Sequence, residues 1–487
     1  MAQPRIDTRP APACGAADDA RDSATDGAPP VPQPAQLQAS LSAPVVAPSS
    51  AFLRAGALRH GGWGLLALAG WLLVGELGIA MRDRWALPTA LVALNRLGAS
   101  DTGVSLILST LPAVLSLFLV PWLGMRSDRH RGLWGRRRPF LMLTAPIGAL
   151  AMLGVAAAPM LAGASHAALG SWSPGLRPLQ LGWFCAFWTV FDCAAVATIA
   201  LFTGLVNDVM PRRCIGRFYA AFRVVGLGVA IAFNSWLLAL TDTRQFAILV
   251  AIALIFGLAT PLMCAMVREA PWQPPPDADG VAAAPARSAI ARAAASVRFG
   301  QRRHLWTVAA FMLAAVTFSP FNTFSISYAL SLGIPKAELG ALTALAYAVS
   351  IAAAFGIGWL TDRIGALRLS SALMGLYCAT ALCGWLLVDD AAAFRPFYLA
   401  HVILSGAYFT AASSLPMELF PRAEFVRYNA GKDVVATLGG ILVSACQGPL
   451  LDWSGHAYRL TLGSGALFSL LCVGCMARLL RAPTVDG

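Results

Sequence analysis

Stretches of about twenty apolar residues follow one another from residue 63 almost to the C-terminus, and they constrain this chain more than anything else in its sequence. A helix of that length rises about 30 Å, enough to cross the hydrocarbon of a bilayer. The stretches are expected near 63–81, 102–124, 140–160, 181–206, 218–240 and 246–267, then near 306–332, 339–360, 369–388, 396–420, 430–452 and 460–480. No soluble fold needs so many. Charged residues make up only 12% of the chain, against about a quarter in soluble proteins. The expected class is an all-α membrane protein with 12 transmembrane helices.

A net charge of +12 would ordinarily raise nucleic acid as a partner. Here nearly every Lys and Arg falls in a terminus or between apolar stretches, where such charges set membrane orientation, so nucleic acid is excluded as a partner. The even connections are rich in arginine, from Arg126 and Arg136 to Arg422 and Arg427. The odd ones carry little, except the first, with Arg82, Arg84 and Arg96. Even connections and both termini are therefore expected on the cytoplasmic side of a bacterial inner membrane. The cysteines show no metal-binding or disulfide spacing and read as small buried residues, so no metal is expected.

Residues 1–59 are rich in Ala, Pro and Ser, lack hydrophobic periodicity and read as a disordered cytoplasmic tail without a signal peptide. Residues 60–268 and 305–487 form two six-helix units, the second with a short tail. Between them, 269–304 starts Pro-rich and ends basic, as a linker with an amphipathic surface helix. The two units repeat. GMRSDR (124–129) is matched by GWLTDR (358–363), and DVMPRRCIGRF (208–218) by ELFPRAEFVRY (418–428). Two parallel repeats of six helices are a known transporter architecture.

GMRSDRHRGLWGRRRP (124–139) resembles the loop signature of the major facilitator superfamily, Gly-x-x-x-Asp-Arg with a following Gly-Arg-Arg. The likeness extends from about residue 60 to 482 and implies two six-helix bundles related by a pseudo-two-fold axis. GRRRPF (135–140) is similar to the glycoside–pentoside–hexuronide:cation symporters and the sucrose–proton symporters. So is the placing of Asp192 sixteen residues before Asp208. In the sucrose–proton symporters the first of these acids is the proton site, so the resemblance implies Asp192 as the coupling residue. Cys193 to Thr198, however, are nearly all apolar where those symporters carry amides and an arginine suited to a sugar.

The loop motifs nominate Gly124, Asp128, Arg129, Gly135, Arg136, Arg138, Asp208 and Arg217 as a gating group, with Asp362, Arg363, Glu418 and Arg427 as its second-half counterpart. Arg129 and Arg136 to Arg138 are expected to pair with Asp208, and Glu418 with Arg363. The bland alternative is static staples and topogenic charge. Ionisable groups inside the membrane are costly and count as functional candidates. Asp192 and Glu76 are the acids expected to carry a coupling proton, and Arg223 is the basic residue expected within a span. Substrate contacts are expected from Trp188 four residues before Asp192, from Asn322, Ser325 and Tyr328 beside the helix-breaking Pro320, and from His401 and Tyr408 on one face of the tenth span. Interhelical hydrogen bonding is the alternative for the polar ones.

These residues point to a monomeric secondary transporter that moves a small solute, by resemblance a sugar or glycoside, together with a proton, with lipid as its other partner. It has no nucleotide-binding signature, no cofactor other than the ion and no enzymatic constellation. The rivals are a proton-coupled exporter of drugs or metabolites on the same fold, and a non-transporting sensor or assembly factor.

Overall fold

The computed structural model describes residues 52–55, 58–128, 130, 132, 134–211, 214–269, 302–420 and 425–481. A short antiparallel hairpin, β1 (Phe52–Ala55) and β2 (Leu58–Gly61), pairs Phe52 with Gly61. It falls in the stretch expected to be disordered. The earlier part of that tail and the expected surface helix of the linker lie outside the described residues.

The membrane helices are α1 (Trp63–Arg96), α2 (Asp101–Asp128), α3 (Arg138–Trp172), α4 (Leu176–Val209), α5 (Phe218–Thr241), α6 (Gln245–Met266), α7 (Arg303–Ser331), α8 (Lys336–Ile364) and α9 (Ala366–Leu387). After them come α10 (Ala391–Ala412), α11 (Gly431–Trp453) and α12 (Leu460–Arg481). Eleven of them are long and apolar enough to cross a bilayer by length and composition. The remaining one, α10, has 22 residues. It carries Arg395 and His401, which lower its apolar character.

Two boundaries differ from the sequence expectation. Hydropathy ends the first span at residue 81, but α1 runs on to Arg96. Arg82, Asp83 and Arg84 lie in its interior, in a π-helical turn over Arg82–Ala86. Such turns are rare and often mark functional positions. Arg82 and Arg84 are therefore not loop charges, and Arg223 is not the sole basic residue within a span. The connection left between the stretches near 140–160 and 181–206 is also mostly helix, with α3 continuing through Pro159.

The helices pack in a repeating pattern. In the first six, α3 lies against α4 and α6, α1 against α5 and α6, and α2 against α4. Six helices later α9 lies against α10 and α12, α7 against α11 and α12, and α8 against α10. Across the middle, α2 meets α11 and α5 meets α8, which exchange under the same six-helix shift. That is the pseudo-two-fold relation of the major facilitator fold. Rings such as Trp188, Phe191 and Phe256 fill the first half's core, and Phe318, Tyr377 and Tyr408 that of the second.

Candidate functional site

A cavity of about 360 Å³ opens between the halves, a size in the range of small-molecule sites. Its two walls differ in chemistry. The first half presents Asp83 and Arg84 from α1 with Arg223 and Asn234 from α5. The second half presents hydroxyls, an amide and an imidazole: Asn322 and Ser325 from α7, Thr343 and Tyr347 from α8, Tyr398 and His401 from α10.

Behind the charged wall, Arg82 Nε donates to Asp192 Oδ1 at 2.7 Å and Arg82 Nη1 to Asp83 Oδ1 at 2.6 Å. Asp192 is fully buried, whereas Asp83 is half exposed. Arg82 thus bridges a carboxylate on the cavity wall and one in the bundle interior. The geometry puts Asp192 in an ion pair rather than alone, and its Oδ2 has no hydrogen-bond partner among the described residues. Glu76, one of the two acids expected to couple, is 4% exposed. Its Oε1 faces Gly226 of α5, and its Oε2 has no hydrogen-bond partner among the described residues. It does not line the cavity.

On the neutral wall, one histidine tautomer satisfies a relay in which His401 Nε2 donates to Asn322 Oδ1 and His401 Nδ1 accepts from Tyr377 Oη, both at 2.9 Å. Thr343 and Tyr398 share a hydrogen bond of 2.7 Å. Of the expected substrate contacts, Asn322, Ser325 and His401 reach the cavity. Three do not. Trp188 is fully buried between Phe184 and Phe191. Tyr328 donates to the Val388 carbonyl and packs on Phe394. Tyr408 is 2% exposed and packs on Phe318.

The hydrogen bonds joining the halves concentrate at the end that holds the odd connections. There Asp452 accepts from the backbone N–H groups of Asp101 and Thr102, capping α2 with a carboxylate at its positive end. His456 Nδ1 lies 2.7 Å from Asp101 Oδ2, and Tyr458 donates to Asp101 Oδ1 at 3.1 Å. Asp101, Asp452 and His456 offer three metal-type ligand atoms within 4.8 Å of one another, but these groups already satisfy one another across the seam. Asn95 bonds Ser327, and Lys336 bonds Asp242. Backbone meets backbone as well. A Cβ on Gly448 of α11 would lie 2.6 Å from Thr102 Cα, and one on Gly340 of α8 would collide with the Asn234 carbonyl oxygen. None of these seam residues carried a motif in the sequence.

At the other end, the motif loop forms the expected cluster in part. Arg136 donates to Asp208 at 2.6 and 3.1 Å, Arg137 at 2.8 Å, and Arg137 also pairs with Asp128 at 3.1 Å. Burial works against the charge of Arg136, but Asp208, with Asp128 and Glu269, together outweigh it and hold the guanidinium above its ordinary pKa. Among the described residues Arg138 does not join, and its buried Nε has no hydrogen-bond partner. Instead Glu269 accepts from the Arg137 and Arg138 backbone N–H groups at the start of α3. Gly135 has a positive φ of 89°, and a Cβ there would run into Glu269. Gly124 stands in open space. Arg129 lies outside the described residues, as do the side chains of Arg217 and Arg427. The expected Glu418–Arg363 pair is absent. Glu418 accepts from Leu367 N at the start of α9, Arg363 lies over the Trp359 ring, and Asp362 is exposed.

The model of a family described as MFS/sugar transport protein matches residues 94–433. Solute carrier family 45 member 3 of Mus musculus is 25% identical over 280 residues, 51% of this chain and 48% of that protein. The same protein of Macaca fascicularis is 25% identical over 276 residues. The chain thus spans about half the length of the curated relatives it matches. A variant of the nucleoside transporter NupG superposes with a TM-score of 0.64 at 12% identity, over 85% of this chain and 100% of that one. A D-xylose-proton symporter does so with a TM-score of 0.59 at 12% identity, over 84% and 97%. At such identity these structures establish the fold alone, and it is the major facilitator fold. The family match covers more than two thirds of the sequence, and the chain belongs to the MFS/sugar transport protein family.

Proposed function

We propose that the chain is a monomeric secondary transporter of the bacterial inner membrane, carrying a small polar solute of the sugar or glycoside class together with a proton. The observation that carries this reading is the Arg82 bridge between buried Asp192 and cavity-wall Asp83. A proton arriving at Asp192 neutralises the carboxylate that holds Arg82, leaving the guanidinium to Asp83 alone. The bridge lies in a π-turn whose next residue, Arg84, lines the cavity. The charge state of the bundle interior is thereby linked to the wall that faces the solute. The Asn322–His401 relay and the Thr343–Tyr398 pair supply the neutral hydrogen-bonding groups that a polyhydroxyl body needs. The seam at the odd-connection end is the closed gate, and solute exchange takes place from the opposite side, where the motif loop clusters around Asp208.

The test is proton flux in proteoliposomes on adding candidate sugars and sugar derivatives, wild type against Asp192→Asn. Solute-evoked flux is expected in the wild type and absent in the variant, while solute counterflow persists in both. Equal flux from the two proteins refutes coupling at Asp192. Solute movement without any proton flux refutes coupling altogether.

A further inference from the structure

We infer that Tyr377, which does not line the cavity, sets the hydrogen-bond polarity that a solute meets there. Through His401 it turns the Asn322 amide so that the NH2 group, and not the oxygen, faces the cavity. Tyr377 is thus a positioning residue for solute recognition. This deepens the transport reading, on whose cavity it rests.

The protons along this chain of groups have one arrangement that strands none of them. Tyr377 is 1% exposed, and among the described residues its hydroxyl has one hydrogen-bond partner, His401 Nδ1. A buried hydroxyl that only accepted there would leave its own proton without an acceptor. It therefore donates, and Nδ1 is the bare nitrogen. The imidazole packs against Phe318 and Phe321, and its hydrogen-bond partners among the described residues include no carboxylate. It is neutral, with its one proton on Nε2. That proton needs an acceptor on Asn322, which is Oδ1 at 2.9 Å. With Oδ1 turned to His401, Nδ2 is left to the other side. Asn322 is exposed there and lines the cavity, and its Nδ2 has no hydrogen-bond partner among the described residues. The reverse chain keeps both bonds but orphans the tyrosine proton, at a loss of roughly ten- to a hundredfold in population.

Neighbouring hydroxyls on that wall have the opposite sense. Thr323, Thr343, Ser350 and Ser405 donate to carbonyls of their own helices. Because the Thr343 proton goes to Leu339, Tyr398 donates to Thr343. These hydroxyls offer a solute lone pairs, whereas Asn322 offers it N–H. A solute fitted to the wall brings O–H donors to the hydroxyls and, at Asn322, an accepting oxygen of the ether or carbonyl type.

The experiment is NMR of the histidine ring nitrogens, isotope-labelled, in the purified full-length chain in detergent. His401 is one of six histidines, and the signal lost in His401→Gln identifies it. Protonated and bare ring nitrogens differ widely in chemical shift, so the spectrum reads the tautomer. The wild type is expected to hold the Nε2–H form roughly tenfold or more over the Nδ1–H form. Tyr377→Phe keeps the ring and removes the donor, and is expected to bring the two forms within about threefold of each other. Gly465→Ala would set a methyl 3.1 Å from the Tyr377 hydroxyl oxygen. It should lower the ratio in the same direction, and serves if Tyr377→Phe fails to fold. A packing role alone for Tyr377 would lower the unfolding midpoint and leave the tautomer unchanged. The inference is overturned if His401 carries its proton on Nδ1, if it carries two protons, or if neither variant lowers the ratio. No solute enters the measurement, so its failure is distinguishable from that of the transport reading. The expected tautomer in a protein that moves no sugar in liposomes would sink transport and leave the relay standing. Sugar counterflow with the proton on Nδ1 would do the reverse.

Discussion

Replacing Arg82 by Gln removes the guanidinium that accompanies a fully buried carboxylate. Among the described residues, Asp192 takes a side-chain hydrogen bond from Arg82 Nε at one oxygen and none at the other. Breaking a buried pair from one side costs about 3–5 kcal/mol, because the remaining charge stays desolvated. The simultaneous loss of the Arg82–Asp83 contact adds at most about 1 kcal/mol, since Asp83 is half exposed. The opposite substitution is milder. Asp192→Asn leaves Arg82 held by Asp83, and the amide oxygen still accepts, so the cost is about 1–2 kcal/mol. In the double variant no charge is stranded, and its stability is expected near that of Asp192→Asn, well above Arg82→Gln. Thermal unfolding midpoints in one detergent, read for all four proteins, test the order. Equal losses from the two single substitutions, or a double variant as poor as the sum of both, would refute the stranded-charge reasoning.

Gly448→Leu drives a side chain into the α2 backbone at the seam, at a strain of about 1–3 kcal/mol in the closed state. It is expected to raise labelling of an Asn95→Cys probe by a membrane-impermeant thiol reagent. The seam is also expected to loosen as pH rises. The Asp101 hydrogen bond, with the charges of Asp101 and Asp452, holds the pKa of His456 above its ordinary value, and Tyr458 completes the group facing it. The protonated latch is complete below about pH 6.5 and is lost as pH climbs through the raised value. Labelling of the same probe should therefore increase with pH, and His456→Gln should abolish that dependence. Gly135→Ala forces a side chain into a positive-φ position against Glu269, and is expected to cost about 1–3 kcal/mol, read as a lower unfolding midpoint.

The helical frame and the Asp208 cluster were legible because their signals are local: apolar runs of membrane length, and acid and arginine at fixed spacing in short loops. Arg82 was not. Three charges in a row look like a helix end, and the partner that keeps one of them inside the membrane is 110 residues away. The resumption of apolar periodicity from Trp85 to Leu94 was the signal that the helix continues. Trp188 does share a helical face with Asp192, but that face points into the first half's core, so both side chains are buried together. Tyr408 lies two turns beyond His401 on α10, but its ring turns away from the cavity that Ser405, Gly406 and Phe409 still line and packs against Phe318. Asn322 and His401 were found because polar groups in mid-helix are scarce enough for residue type alone to mark them.

The glycine contacts at the seam bear on how fast such a carrier can switch. Gly340 and Gly448 let backbone touch backbone across the seam, while Phe324 and Leu451 of the second half are buried in one apolar cluster with Leu91, Leu94 and Leu108 of the first, so parting the halves costs apolar burial as well as hydrogen bonds. Beside that burial stands a set of exchangeable hydrogen bonds, each worth about 0.5–1.5 kcal/mol net of water. Inverting a two-state population from 1:99 to 99:1 takes about 5.5 kcal/mol, which a few such bonds can supply and a bound solute and proton can overcome. The polar caps are the share of the seam that can be exchanged for water one bond at a time, so they are where a bound solute and proton gain their leverage on the balance between the two sides.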